Sequence, residues 1–189
     1  MKLVLGITGA SGAPYTRRAL EFLAGPGKDA GIETELVWTK TARLVWREEV
    51  GSDPGSYGLK SYAPNDFTAP FASGSALYDG MLILPCSAGS LARIATGVST
   101  DLVSRAADVM LKERRKLVIV LRETPFSLIH VRNMETLILA GAVVMSAAPS
   151  FYSKPETLEQ VLDTVVCRAL DRLGIPNNLM RRWRGLESQ

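Results

Sequence analysis

The chain has a single histidine, His130, among its 189 residues. Histidine-based triads and histidine-rich metal sites have little to draw on, and His130 reads as structural. Cysteine is almost as scarce. Cys86 and Cys167 stand in apolar surroundings without metal-ligand spacing, so they read as reduced thiols. No signal segment precedes the first strand, and the expected location is cytoplasmic. Long hydrophobic runs are missing too. The longest uncharged apolar stretch, residues 136–149, carries a glycine break and is too short to span a bilayer, so no membrane partner is expected. A strong excess of one charge is also absent. The net charge of +3 suits a phosphorylated or acidic small ligand, and no nucleic-acid motif accompanies it.

What is present reads as one globular domain, residues 1–189, with 47% hydrophobic and 22% charged residues. Residues 2–12, KLVLGITGASG, combine an apolar run of strand length with a small, Gly-rich turn. A helix follows, with Pro14 in its first turn, where a missing N–H costs nothing. Strand, tight turn and helix N-terminus together make an anion site, because free backbone N–H groups and the positive dipole end face the same point. Gly9 and Gly12 permit the bend, and Ser11 adds a hydroxyl.

Further strands are expected at 33–38, 81–84, 116–121 and 142–147, with helices at 42–49, 91–95, 101–115, 133–140 and 157–173. Residues 65–75 form a long irregular segment whose aromatics favour an ordered loop. Five strands alternating with helices predict an α/β, Rossmann-like (flavodoxin-like) parallel sheet with helices on both faces. In such sheets ligands bind beyond the carboxyl ends of the strands. Those ends carry TGASG, TKTA, PCSAGS, RETP and PSFY, which gathers Gly9–Gly12, Thr39, Ser87–Ser90, Arg122 and Tyr152 on one rim. The first turn is not G-x-G-x-x-G, and the second strand ends in Thr39-Lys40 rather than an acid, which argues against NAD. Hydroxyls and a cation suit FMN or another singly phosphorylated ligand better.

Read by pattern alone, several of the residues below have plainer roles. Glu49 reads as a solvated helix end, Arg168 as a snorkelling arginine, Tyr152 as a loop anchor and Trp183 as an exposed tail residue. The cations at 112–116 read as a solvated, dipole-matched helix end.

GITGASG, the Thr39-Lys40 strand end, NDFTAPFASGS, LPCSAGSL, RAADVMLKERRKLVIVLRETPFSLIH, GAVVM and FYSKP together resemble the UbiX-type flavin prenyltransferases. The likeness runs in order from Lys2 to Trp183. It implies an enzyme that joins the dimethylallyl group of dimethylallyl phosphate to N5 and C6 of reduced FMN. The product, prenylated FMN, would serve UbiD-type decarboxylases. The resemblance also implies a homo-oligomer, commonly a dodecamer, that needs no metal.

Carried over residue by residue, the resemblance assigns Gly9, Ala10, Ser11, Thr39, Ser87, Ala88, Gly89, Ser90 and Arg122 to FMN. Lys112, Arg122, Tyr152, Arg168 and Phe67 fall at the prenyl-phosphate site. Glu49 matches the acidic residue that handles the proton, aided by Ser11, and Trp183 the tryptophan that covers the site. Ser11, Glu49, Lys112 and Trp183 are thus the expected catalytic set. Phe67 replaces a tryptophan and Ser150 a smaller residue. Two competing readings remain at this level: a flavin-dependent decarboxylase, against which the lack of an early histidine counts, and a non-catalytic FMN carrier.

Overall fold

A computed structural model describes residues 1–183. Six parallel strands form one sheet: β1 (Lys2–Ile7), β2 (Glu33–Trp38), β3 (Lys60–Tyr62), β4 (Gly80–Cys86), β5 (Lys116–Leu121) and β6 (Val143–Ser146). Their order is β3-β2-β1-β4-β5-β6, so the chain winds outward in both directions from the β1–β4 pair. That reversal opens a crevice at the carboxyl ends of β1 and β4.

Among the described residues seven α-helices flank the sheet: α1 (Ala13–Ala24), α2 (Pro26–Asp29), α3 (Lys40–Glu49), α4 (Ala88–Ala95), α5 (Leu102–Lys112), α6 (Leu128–Leu139) and α7 (Leu158–Leu173). Side chains alternate between two apolar layers. Leu3, Leu5 and Ile7 of β1 pack with α1, α3 and α7, and Val4 packs on the other face, in the layer of α4 and α5. Every residue of β4 is buried, as expected of a parallel strand covered on both faces. Asp163, buried on α7, receives two hydrogen bonds from Arg18 of α1 at 2.8 and 2.9 Å, which fixes the two helices side by side.

Several local expectations change, these among them. A sixth strand, β3, adds to the edge beyond β2; at three residues it is too short to show a period. The third expected strand runs on through Pro85 to Cys86, with a cis Leu84–Pro85 peptide. The helix expected at 101–115 is shorter at both ends: Asp101 caps it in a capping box with Ser104, and Arg114 takes a positive φ of 54° after it. The helix expected from 133 begins at Leu128, because Ser127 and His130 form a second capping box. His130 therefore has the structural role that its isolation implied.

Candidate functional site

The strand ends converge through one buried hydroxyl. Thr8 Oγ1 donates to the Pro85 carbonyl at 2.8 Å and accepts the Ser87 amide hydrogen at 2.7 Å, locking the first Gly-rich turn beside the second. Ser87 caps α4, accepting the Ser90 amide hydrogen at 3.2 Å, and its hydroxyl lies 3.1 Å from that of Ser90. The Ala88 and Gly89 amides, in the first turn of α4, have no helical carbonyl within reach. A cleft of about 410 Å³ opens there, lined by Gly9, Thr39, Ser87, Gly89, Ser90 and Arg93 among others. Gly9 must be glycine. A Cβ on it would lie 2.5 Å from Thr41 Cβ, on the first turn of α3.

The N-terminus of α1 differs from the sequence expectation. Its leading amides are not free: Glu49 Oε2 accepts those of Gly12 and Ala13, each at 2.8 Å. Glu49 is exposed, as a helix end would be, but it is tied to the positive end of α1, on the rim. Gly12 adopts φ 123°, and Arg122 lies on its other side, with Cγ 3.7 Å from where a Gly12 Cβ would be. Glu49 and Arg122 therefore flank the same residue.

A second cavity, of about 310 Å³, lies between β6 and α7. Ser150, Tyr152, Arg168 and Trp183 all line it. The rings of Tyr152 and Trp183 meet edge to face at 5.7 Å. Tyr15 spans from α1 toward this cavity, its hydroxyl donating to the Ala147 carbonyl at 3.4 Å. Arg122 packs beside Gly12, where Tyr15 and Pro85 also approach. Its Nε is buried without a hydrogen-bond acceptor, as is that of Arg93 in the first cleft. Arg93 also bonds the Ser90 hydroxyl at 3.1 Å and lies 3.8 Å from Asp101, so in each arginine it is the Nε alone that is left without a partner.

A flavoprotein family profile matches residues 1–170. The flavin prenyltransferase UbiX of Thermoplasma acidophilum is 43% identical over 188 residues, spanning 97% of this chain and all of the relative. The chain belongs to the flavoprotein family, among its UbiX-type flavin prenyltransferases. Two solved structures agree with this flavoprotein in fold. AnUbiX (PadA1), in complex with FMN and dimethylallyl pyrophosphate, superposes with a TM-score of 0.93 at 41% identity, covering 98% of each chain. A dodecameric FMN-dependent Ubix-like decarboxylase from Escherichia coli O157:H7 gives 0.92 at 41%, covering 98% of this chain and 100% of the other.

The flavoprotein's first cleft fits FMN in its donor set. Gly9 and Gly89 permit close approach, Ser87 and Ser90 place hydroxyls at the α4 N-terminus, and the Nε of Arg93 lacks an acceptor. Ala10 and Ser11 lie on the same turn, Ala10 buried and Ser11 exposed. Cys86, beneath the α4 turn, is no nucleophile: burial pushes its thiol up to about 12.

Two expected site residues are not brought in. Lys112 ends α5, roughly 16 Å of helix away from Asp101 at the rim. It lies at the amino edge of the sheet and pairs with Glu113. Its neighbours there are structural: Arg115 donates to the carbonyls of Gly74 and Ala76, and Lys116 to that of Leu173. Arg115 and Lys116 thus tie loops together while Lys112 and Arg114 stay exposed, and within this protomer Lys112 does not reach the phosphate cavity. Phe67 is half-exposed on the loop after β3, at the opposite edge of the sheet from Tyr152.

Other residues of the site were missed. Arg93 follows Ser87 and Ser90 at three-residue steps, so a helical reading of PCSAGSLAR would have put all three on one face. Asp171, which accepts from Arg168 of the second cavity, was not legible in the sequence, because its stronger partners come from beyond α7. Both its oxygens accept from Arg182, and Asn177 Nδ2 donates to it at 3.2 Å. Burial alone would raise the Asp171 carboxyl, but Arg182, Arg168 and Asn177 together hold it below the ordinary carboxylate value.

Proposed function

We propose that the whole chain, residues 1–189, acts as one flavoprotein domain that transfers the dimethylallyl group of dimethylallyl phosphate to N5 and C6 of reduced FMN. The observation that carries this reading is the second cavity. Tyr152, Arg168 and Trp183, drawn from three separate segments, line one hollow between β6 and α7.

Gly9, Ala10, Ser11, Thr39, Ser87, Ala88, Gly89 and Ser90, with Arg122, would hold FMN. Reduced FMN, when bound, supplies the nucleophilic atoms to which carbon is joined. Breaking an allylic C–O bond puts negative charge on phosphate and positive charge on carbon. Arg168 and Arg122 supply fixed cations to the phosphate, and Tyr152 Oη donates a further hydrogen bond. The Trp183 ring offers a π face to the allylic carbon and shields it from water. Glu49, held over Gly12, accepts the proton released on ring closure, with Ser11 positioning it.

We assign the product, prenylated FMN, to UbiD-type decarboxylases, and the enzyme to the cytoplasm. Among the described residues no helix is long and apolar enough to cross a membrane. We also propose a homo-oligomer, a dodecamer by family likeness. Leu128, Ile129, Val131, Ile138 and Leu139 of α6 are exposed, and large apolar side chains left in water at both ends of a helix favour self-association.

The test is an anaerobic incubation with reduced FMN and dimethylallyl phosphate, followed by the mass of the flavin. A prenyl adduct is the expected result. Unchanged flavin would overturn the reading and favour a decarboxylase or a carrier.

A further inference from the structure

Arg168 and Asp171 lie three residues apart on α7 and so share a face. Arg168 points into the Tyr152 cavity, and its Nη1 donates to Asp171 Oδ2 at a long 3.4 Å. The same oxygen accepts from Arg182 Nη1, while Arg182 Nη2 reaches Asp171 Oδ1 at 2.9 Å and the Asn177 carbonyl at 3.0 Å. Asn177, 8% exposed, also donates to the carbonyls of Cys167 and Ile175. The segment after α7 is thereby tied back onto it, one residue before Trp183.

Two cations thus meet at one largely buried carboxylate. One faces the phosphate cavity, and the other precedes the tryptophan that lines it. From this arrangement we propose that Asp171 is a positioning residue, shared between Arg168 in the phosphate cavity and Arg182 on the C-terminal segment, that links phosphate binding to placement of Trp183. The inference rests on the prenyltransferase reading, which puts the substrate phosphate at Arg168.

The physical sequence is short. A phosphate dianion draws the Arg168 guanidinium away from its weak bond to Asp171. Oδ2 is then left wholly to Arg182, whose two-pronged contact tightens. The segment is held more firmly, and Trp183 stays against Tyr152 over the bound allyl group. Without Asp171, Arg168 and Arg182 repel each other, and the segment loses its anchor.

The test compares wild type with Asp171→Asn and Asp171→Glu, each as the full chain loaded with FMN. Two readouts are taken: the kinetic constants for dimethylallyl phosphate, and acrylamide quenching of tryptophan fluorescence. Trp38 and Trp46 are 1% and 2% exposed and Trp183 is 61% exposed, so the quencher reports Trp183.

In wild type, dimethylallyl phosphate should reduce quenching. In Asp171→Asn that protection should vanish and KM should rise on the order of tenfold, with kcat less affected and FMN affinity unchanged. Asp171→Glu should recover part of both. Arg182→Gln cuts the same tie from the exposed side, and it replaces Asp171→Asn if that variant does not fold. Wild-type KM and wild-type protection in the Asn or Gln variant would overturn the inference while leaving the prenyltransferase reading intact. Absence of prenyl transfer by wild type itself would remove both.

Discussion

Glu49 Oε2 accepts the amide hydrogen of Gly12 at 2.8 Å, which seats the last residue of α3 on the first turn of α1. A carboxylate there is stabilised by the helix dipole, and it lies across Gly12 from Arg122. Glu49→Gln keeps an oxygen for the two amides but removes the base. FMN affinity should stay near wild type, stability should fall by about 1 kcal/mol or less, and turnover should fall on the order of a hundredfold. Anaerobic prenyl transfer read by mass, beside an FMN titration, checks this. Full turnover in the variant would remove the proton role from Glu49.

Thr8 serves two partners across the β1–β4 crevice, so Thr8→Val leaves the Pro85 carbonyl and the Ser87 amide without it. The Pro85 carbonyl keeps the Thr8 amide hydrogen at 3.2 Å, so the Ser87 amide is the group left unpaired, and the loss should cost about 1–3 kcal/mol in urea unfolding. FMN binding should weaken as well, because the two turns of the first cleft are no longer held in register. An unchanged unfolding midpoint would show that the hydroxyl does not link them.

Arg168→Gln removes a cation from the Tyr152 cavity without touching the first cleft. KM for dimethylallyl phosphate should rise by roughly one to two orders of magnitude, with FMN affinity unchanged. Tyr152→Phe removes only a hydroxyl donor, and the expected loss in kcat/KM is smaller, about tenfold. Steady-state kinetics at fixed FMN distinguish the two. Equal, small losses would move the phosphate elsewhere.

The lowered Asp171 carboxyl makes the C-terminal tie sensitive to acid. Its folded pKa lies below its unfolded one, so the stabilisation is fully present above the unfolded value of about 4 and is lost as pH falls through the folded value. Acrylamide quenching of Trp183 should therefore be constant near neutrality and increase below about pH 4. Asp171→Asn should abolish that step and show high quenching throughout. A step of the same size in the variant would assign the transition to other groups.

Local sequence determined much of this protein. The apolar runs at β1, β2, β4 and β5, the capping and glycine signals after them, and the alternation with helices specified a parallel sheet with its ligand rim at the carboxyl ends. They placed Gly9, Thr39, Ser87 and Ser90 in one cleft, because consecutive strand ends are forced to that edge. Tertiary structure decided the rest. β3 carries too few residues to declare itself and forms only because β2 offers it an open edge. Glu49 looked like a solvated helix end until α3 folded back over α1. Lys112 and Phe67 shared a motif likeness with the site, yet helix length and strand order leave them elsewhere in the protomer. Asp171 acquired a role only when Arg182 and Asn177 returned to α7. Periodicity and turn chemistry act over a few residues and are written in the chain; contacts between distant segments depend on how whole elements pack, and no short stretch of sequence encodes that.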